Sequence, residues 1–537
     1  MTIDGFLQFL GILIAVYALF SIVVRHRLRL LGWLLWLPST ATLIIVVYLL
    51  LFDVVGIRCG PGWCSSFELS EVKGLTPNKL AFLFVLAWIG YVAALSRRTS
   101  IPKRKLPLLA SLIDRLVAEK RFPELVDFVE PHIDLISQCA GRQVWLRKLR
   151  DRIRFYGNPF LALAQAPEAQ KTRWERTKQI VMARPMSALK RLEARMPETS
   201  RKEEAAQKIL RVLHTNDSLV KFLALERPLV ALKLMHTRAN DYDFSDRAFE
   251  IMMAHGQSQL RRETFLNQNV GLCFYEIDDK NPLIHALFAD AKVAEKLEIY
   301  RPVGNYPLQL LERDVDNYRQ SISAAKPRDD RLIERDPTYC MIRFFDLMIR
   351  SAMKEGIEWH MWLFYFDILV DKLLKSMDVT HPDFDSTAEF PNFGYYLIYE
   401  IFSTYGDWLR IVECCPEGST AVRIENTAPV HDNGSIFKST ILSIGNSLKY
   451  LVRNDSTPDQ FISYLMGMLM RDYRDLAARK NGGVRAQEAL RNSILAGGYY
   501  GLEQLYIARL GDGYADIDPL LQFETKSFRD ALEAALK

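Results

Sequence analysis

Three apolar runs lie within the first 95 residues of a 537-residue chain, and no other feature restricts its fold as strongly. Residues 5–24 carry no charge, and only Gln8, Tyr17 and Ser21 interrupt the run with polar groups. Twenty helical residues reach about 30 Å, the thickness of the hydrocarbon layer of a bilayer. The chain opens with the acidic Met1-Thr2-Ile3-Asp4, and the run ends in Arg25-His26-Arg27. That is the reverse of a signal peptide, which starts basic and ends in small residues. Residues 30–52 form a second run, interrupted by Pro38 with Ser39, Thr40 and Thr42 after it. Hydroxyls near a proline can satisfy the carbonyl it frees, so a spanning helix tolerates it. Residues 80–95 form a third and shorter run of about 24 Å. Lys79 and Arg97 can extend it by reaching to the two interfaces.

The loops orient these runs. Arg25, Arg27 and Arg29 lie between the first and second, and Arg97, Arg98, Lys103, Arg104 and Lys105 follow the third. The loop 53–78 holds only Arg58 and Lys73 against Asp53, Glu68 and Glu71. Basic loops remain on the cytoplasmic side. The expectation is three transmembrane helices (5–24, 30–52, 80–95), an outside N-terminus, an outside 53–78 loop and a large cytoplasmic C-terminal region. The setting suits a bacterial inner membrane. Cys59 and Cys64 flank a Gly-Pro-Gly turn in the outside loop and are a disulfide candidate. The thiols further on, Cys139, Cys273, Cys340, Cys414 and Cys415, are expected to be reduced.

Charge is distributed unevenly. Residues 97–211 hold 26 Lys/Arg against 13 Asp/Glu, whereas residues 212–537 hold 37 against 47. Arg147, Lys148 and Arg150 stand in a basic helical stretch, 142–154. With the cluster at 97–105 they suit anionic lipid headgroups at the nearby membrane. Nucleic acid is the weaker reading, because aromatic residues are sparse among these cations. A solvated basic face is the plain alternative.

Beyond 105 the apolar spacing is helical. Leu108, Leu109, Leu112, Ile113, Leu116 and Val117 recur at three-four intervals. Leu125, Val126, Phe128, Val129, Ile133 and Ile136 continue a second helix after Pro123. This pair resembles one unit of a tetratricopeptide-type helical hairpin, over about 30 residues, without repetition at a fixed period. Residues 357–377 and 395–412 are apolar but carry Asp367, Asp371 and Lys372, and Glu400, Asp407 and Arg410. Those charges favour buried core helices over further spans. At most a small β-hairpin is expected, near 416–435, where Thr420-Ala421-Val422 precedes an Asp432-Asn433-Gly434 turn. The expected class is mainly α, with a helical-hairpin or solenoid-like cytoplasmic region. The expected division is 1–96 membrane anchor, 97–201 basic juxtamembrane region, 202–330 helical domain and 331–537 C-terminal helical domain.

Chemistry is poorly marked. The sequence has no phosphate-binding Gly-rich loop, no zinc-protease His pair and no Ser elbow. His381, Asp383, Asp385 and Glu389 put four acceptable divalent-metal ligands within nine residues. Asp241–Ser245 begins as a calcium loop does but lacks the turn Gly and the terminal Glu. Asp518, Glu524 and Lys526 match a nuclease-like ligand set in residue type, but lie in a helical context. No cofactor is called for. The reading is an integral membrane protein presenting a helical interaction or sensing domain to a cytoplasmic protein partner. The alternatives are an oligomeric pore-forming effector, built from several copies of the chain, and a membrane-tethered metal-dependent enzyme.

Overall fold

The computed structural model describes residues 11, 32–55, 77–96, 102–140, 201–237, 242–265, 269–270, 273–357, 363–415, 419–429, 435–479, 482–498, 501 and 503–537. The protein is mainly helical, and it divides into two compact units. The first comprises Met1–Leu219 with Thr237–Asn240, and the second Val220–His236 with Asp241–Lys537.

The first unit opens with two long apolar helices, α1 (Trp33–Val55) and α2 (Pro77–Ser96). They pack antiparallel through Val46, Leu49, Ala81 and Val85. Trp88 Nε1 donates to Ser39 Oγ at 2.9 Å, and Ser39 Oγ donates to Leu35 O at 2.6 Å. Thr40 Oγ1 bonds back to Trp36 O and Leu37 O, so hydroxyls line the turn that contains Pro38. The side chains opposite this seam face outward. Trp36 and Ile44 are more than 60% exposed, and Leu43, Phe82, Leu83 and Leu86 are also exposed.

The three expected spans are not shown by the described residues. Among the described residues no helix is long and apolar enough to cross a membrane. The described side chains of α1 and α2 cover 35–49 and 79–95, about 22 and 25 Å of helix against about 30 Å of hydrocarbon. Residues 5–24 lie outside the described residues, Gly11 excepted, as do Cys59 and Cys64.

The rest of the first unit is α3 (Leu106–Ala118), α4 (Phe122–Val129), α5 (Ile133–Ala140) and α6 (Arg201–Thr215). The three-four spacing read in α3 and α4 is their buried face: Leu109, Ile113 and Leu116, then Leu125, Val126, Phe128 and Val129. Pro131 breaks the expected second helix with a 3-10 turn before α5. α6 packs on α3 and α5, and Lys208 pairs with Asp114. Residues 201–215 therefore belong with the helices before them, across the expected division at 202.

The division between units falls within α7 (Asp217–Glu226). The second unit continues through α8 (Pro228–Met235), α9 (Tyr242–Ala254) and α10 (Gln259–Phe265). A two-residue pairing follows, β1 (Asn269–Val270) antiparallel to β2 (Tyr275–Glu276). Then come α11 (Pro282–Phe288), α12 (Ala291–Lys296), α13 (Tyr300–Arg313), α14 (Tyr318–Ser323) and α15 (Asp330–Glu334). Three 19-residue helices, α16 (Pro337–Glu355), α18 (Phe393–Ile411) and α20 (Asp459–Ala477), pack side by side in that order. α17 (Phe364–Ser376) and α19 (Ile436–Arg453) pack on each other. The chain ends with α21 (Gly483–Ala496), α22 (Gln504–Ala515), α23 (Pro519–Glu524) and α24 (Lys526–Leu536).

Local chemistry sets these boundaries. Pro337 occupies the first turn of α16, and Asp336 caps it by accepting from Thr338 N and Tyr339 N at 2.8 and 2.9 Å. Gly356 closes the helix with φ +71°, a conformation glycine adopts without a Cβ penalty. α16 packs on α10, α11, α12 and α13 as well as α18, so helices bridge the expected boundary at 330. The centre is aromatic: Phe366 stacks on Trp408 with ring centroids 5.2 Å apart, and Tyr405 meets both edge-on. Such pairs add about 0.5–1.5 kcal/mol beyond the burial of their surface.

The β-hairpin expected within 416–435 is not formed among the described residues of that stretch. Thr420–Val422 makes a 3-10 turn, with Thr420 Oγ1 donating to Gly356 O at 2.9 Å. The chain is tied down by single side-chain bonds, so its β-branched residues have no partner strand. The expectation of reduced thiols also needs correction. Cys273 and Cys414 are joined in a disulfide, with Cα atoms 6.2 Å apart, whereas Cys139, Cys340 and Cys415 are free.

Candidate functional site

Among the described residues of the second unit, two concentrations of charged side chains bear on function. One is a buried hub and the other an open pocket.

Asp346 is the centre of the hub and is 1% exposed. Its Oδ1 accepts from Arg350 Nε at 2.7 Å and from Trp408 Nε1 at 2.8 Å. Its Oδ2 accepts from Tyr275 OH at 2.5 Å. Arg350 also donates through Nη2 to Asp407 Oδ2 and through Nη1 to Cys273 O, at 2.9 and 3.1 Å. Arg410 continues the chain of charges from Asp407 to Asp472. Burial, then the neighbouring Asp346 charge, pushes the Tyr275 phenol well above its usual range. Burial likewise raises the Asp472 carboxyl, against the pull of Arg410. With its acceptors filled by fixed donors, Asp346 is a clamp: it ties the β1–β2 hairpin and α18 to α16.

The pocket is a cleft of about 390 Å³ lined by Gly256, Arg261, Arg262, Phe265, Arg331 and Arg335 among others. α10 supplies Arg261, Arg262 and Phe265. Arg331 lies in α15, and Arg335 directly follows it. Arg261 is 5% exposed, and carbonyls hold it in place: Nη1 donates to Met253 O at 3.2 Å and Nη2 to Arg335 O. Its Nε is buried with no hydrogen-bond partner among the described residues. Arg262, Arg331 and Arg335 are exposed. Glu334 is the one carboxylate in the lining. Glu263 points elsewhere, its Oε2 accepting from Leu283 N and Ile284 N at the start of α11. Asp336 is buried and committed to Thr338 N, Tyr339 N and Tyr318 OH. The lining therefore carries four guanidinium groups against one carboxylate.

The residues singled out by sequence fall elsewhere. His381 Nδ1 accepts from Asp383 N at 3.2 Å, and Asp385 caps its own turn through Thr387. Among the described residues no three His, Cys, Asp or Glu side chains converge as a metal site, so His381, Asp383, Asp385 and Glu389 are not gathered into one. Asp518 caps α23, and Glu524 pairs with Arg474 at 2.9 Å, both in helical surroundings. Asp243 and Ser245 lie inside helix α9. Lys103, Arg104 and Lys105 form a 3-10 turn ahead of α3, with Lys103 and Arg104 exposed. Arg97, Arg98, Arg147, Lys148 and Arg150 lie outside the described residues.

Sequence reasoning missed the arginine pocket. Its one local signal was Arg331 and Arg335 at four-residue spacing, which places two cations on one helical face. Comparison with known proteins gives no match: no family model fits the chain, and no curated protein or solved structure resembles it.

Proposed function

We propose that this chain is a membrane-anchored protein whose helical C-terminal body serves interaction or sensing toward a cytoplasmic protein partner. The observation that carries the reading is the α1–α2 pair, which packs inward on Val46, Leu49, Ala81 and Val85 and turns Trp36, Leu43, Ile44, Phe82, Leu83 and Leu86 outward. An exposed apolar band of this kind costs free energy in water and suits lipid. The sequence remains apolar through 30–34 and 50–52, which supplies the length that the described side chains lack. The basic sequence at 25–29 and 97–105 supports the orientation.

Support for a partner comes from the last helices. Leu520 and Phe523 are 64% and 73% exposed, three residues apart on α23. The pore-forming alternative is less favoured, because Ser39, a candidate lining hydroxyl, is engaged by Leu35 and Trp88 of its own hairpin. The test is extraction at alkaline pH from membranes of cells expressing the full chain. Retention with the lipid pellet is expected, and loss of retention in a Phe82→Asp, Leu86→Asp variant. A wild-type chain recovered wholly in the aqueous phase without detergent would overturn the reading.

A further inference from the structure

We propose that the cleft between α10 and α15 is a receptor site for a phosphate monoester, with the phosphate held by Arg261, Arg262, Arg331 and Arg335 and the organic part against Phe265. The inference does not rest on the membrane reading; it concerns a pocket formed wholly within the second unit.

The argument begins with charge. Four arginines face one glutamate across the lining, and Glu263 and Asp336, the chain neighbours of Arg262 and Arg335, are engaged by backbone N–H groups. Like charges gathered in a cleft repel, and a bound anion relieves them. A carboxylate would cancel one of the three excess charges. A phosphate monoester, at about −1.5 to −2 near neutral pH, cancels more and offers three acceptor oxygens. Guanidinium forks match those oxygens in pairs, a geometry that lysine does not provide.

The second element is the state of Arg261. It is 95% removed from solvent, since 5% is exposed, and two backbone carbonyls fix its position. Its Nε–H has no acceptor among the described residues. A buried unpaired donor is destabilising, and a ligand oxygen reaching it would relieve that. Arg261 is thus preorganised, whereas Arg262, Arg331 and Arg335 stand at the rim. The third element is size. A phosphate alone leaves much of a 390 Å³ cleft unfilled, and the half-buried Phe265 ring offers an apolar wall for the remainder.

The phosphate could come from a soluble metabolite or from a lipid headgroup, and the experiment separates the two. Purified full-length protein is titrated calorimetrically with inorganic phosphate, glycerol 3-phosphate and short-chain dihexanoyl phosphatidic acid, alongside an Arg262→Glu, Arg331→Glu variant. Both substituted residues are exposed, so folding should survive; circular dichroism checks it. The expected result is that at least one phosphate ester binds the wild type about tenfold or more tighter than the variant. Tighter glycerol 3-phosphate assigns a soluble ligand, and tighter phosphatidic acid a headgroup. Arg261→Lys, which keeps the charge and loses the fork, should fall between the two. Absence of binding at millimolar ester, or equal binding by wild type and folded double variant, would overturn the proposal.

Discussion

Asp367 lies in α17 at 6% exposure, its carboxylate accepting from Asn446 Nδ2 at 2.9 Å and from Ile368 N at 2.8 Å. Burial dominates and pushes its pKa up from 3.8 to about 7; Asp371 pushes the same way, while the hydrogen bonds pull it down. The folded state therefore binds a proton that the unfolded chain releases near pH 4. The contribution of this group to stability is fully present below the unfolded value and is lost as pH rises through about 7. Over that window it is up to ~4 kcal/mol. Asp367→Asn should flatten this part of the pH profile and raise stability at pH 8, as read by urea denaturation at pH 5 and pH 8. An unchanged profile would mean that Asp367 titrates normally. Asp346 behaves oppositely under substitution, because its donors are fixed around it. Asp346→Ala would remove one of the two carboxylates paired with Arg350 and leave the Tyr275 and Trp408 donors unpaired. A loss of about 3–5 kcal/mol is expected by the same denaturation assay. If Arg350→Met is added, the double variant should cost less than the sum of the singles.

At the scale of elements, the crossing of α19 and α21 depends on Gly445. A Cβ there would sit 2.4 Å from Ser493 Oγ and 2.5 Å from Ser493 O. Gly445→Val should therefore destabilise by several kcal/mol, whereas Gly467→Ala, whose nearest neighbour would be Ile517 at 4.0 Å, should be nearly silent in thermal unfolding. Which elements were readable follows the same logic of local against distant contacts. α3 and α4 were legible because their buried positions repeat within one helix. The stretch near Thr420 was misread because β-branched composition says nothing about whether a partner strand exists. The expected division at 330 falls inside a charged, proline-containing stretch that forms the short helix α15 and the Asp336 cap of α16. The arginine pocket was illegible for a further reason: Arg261 and Arg335 are 74 positions apart, and only the folded α10 and α15 bring them together.

At the scale of the whole molecule, compartment and covalent state are linked. Disulfides persist in oxidising compartments and are reduced in the cytosol. Under the proposed orientation the body lies in the cytoplasm, where the Cys273–Cys414 bond would open to two thiols. Maleimide trapping in intact cells, with acid quenching, reads the outcome directly. Labelling of Cys273 and Cys414 before reduction is expected for a cytoplasmic body. Labelling only after reduction would move the second unit to the opposite side of the membrane and overturn that placement. Cys340 should resist labelling until denaturation in either case, since it is buried and burial pushes its thiol up to about 11.

The span of that bond bears on a different kind of experiment. It joins positions 141 residues apart, and α11 to α18 all lie between them. While the bond is intact, a protease that cuts once anywhere from 274 to 413 leaves both fragments attached and produces no loss of mass. Limited digestion run without reductant would then report that stretch as resistant even when its loops are being cleaved. Fragment maps of this protein therefore carry meaning only as pairs of lanes, reduced and unreduced, and the difference between the two locates the cut.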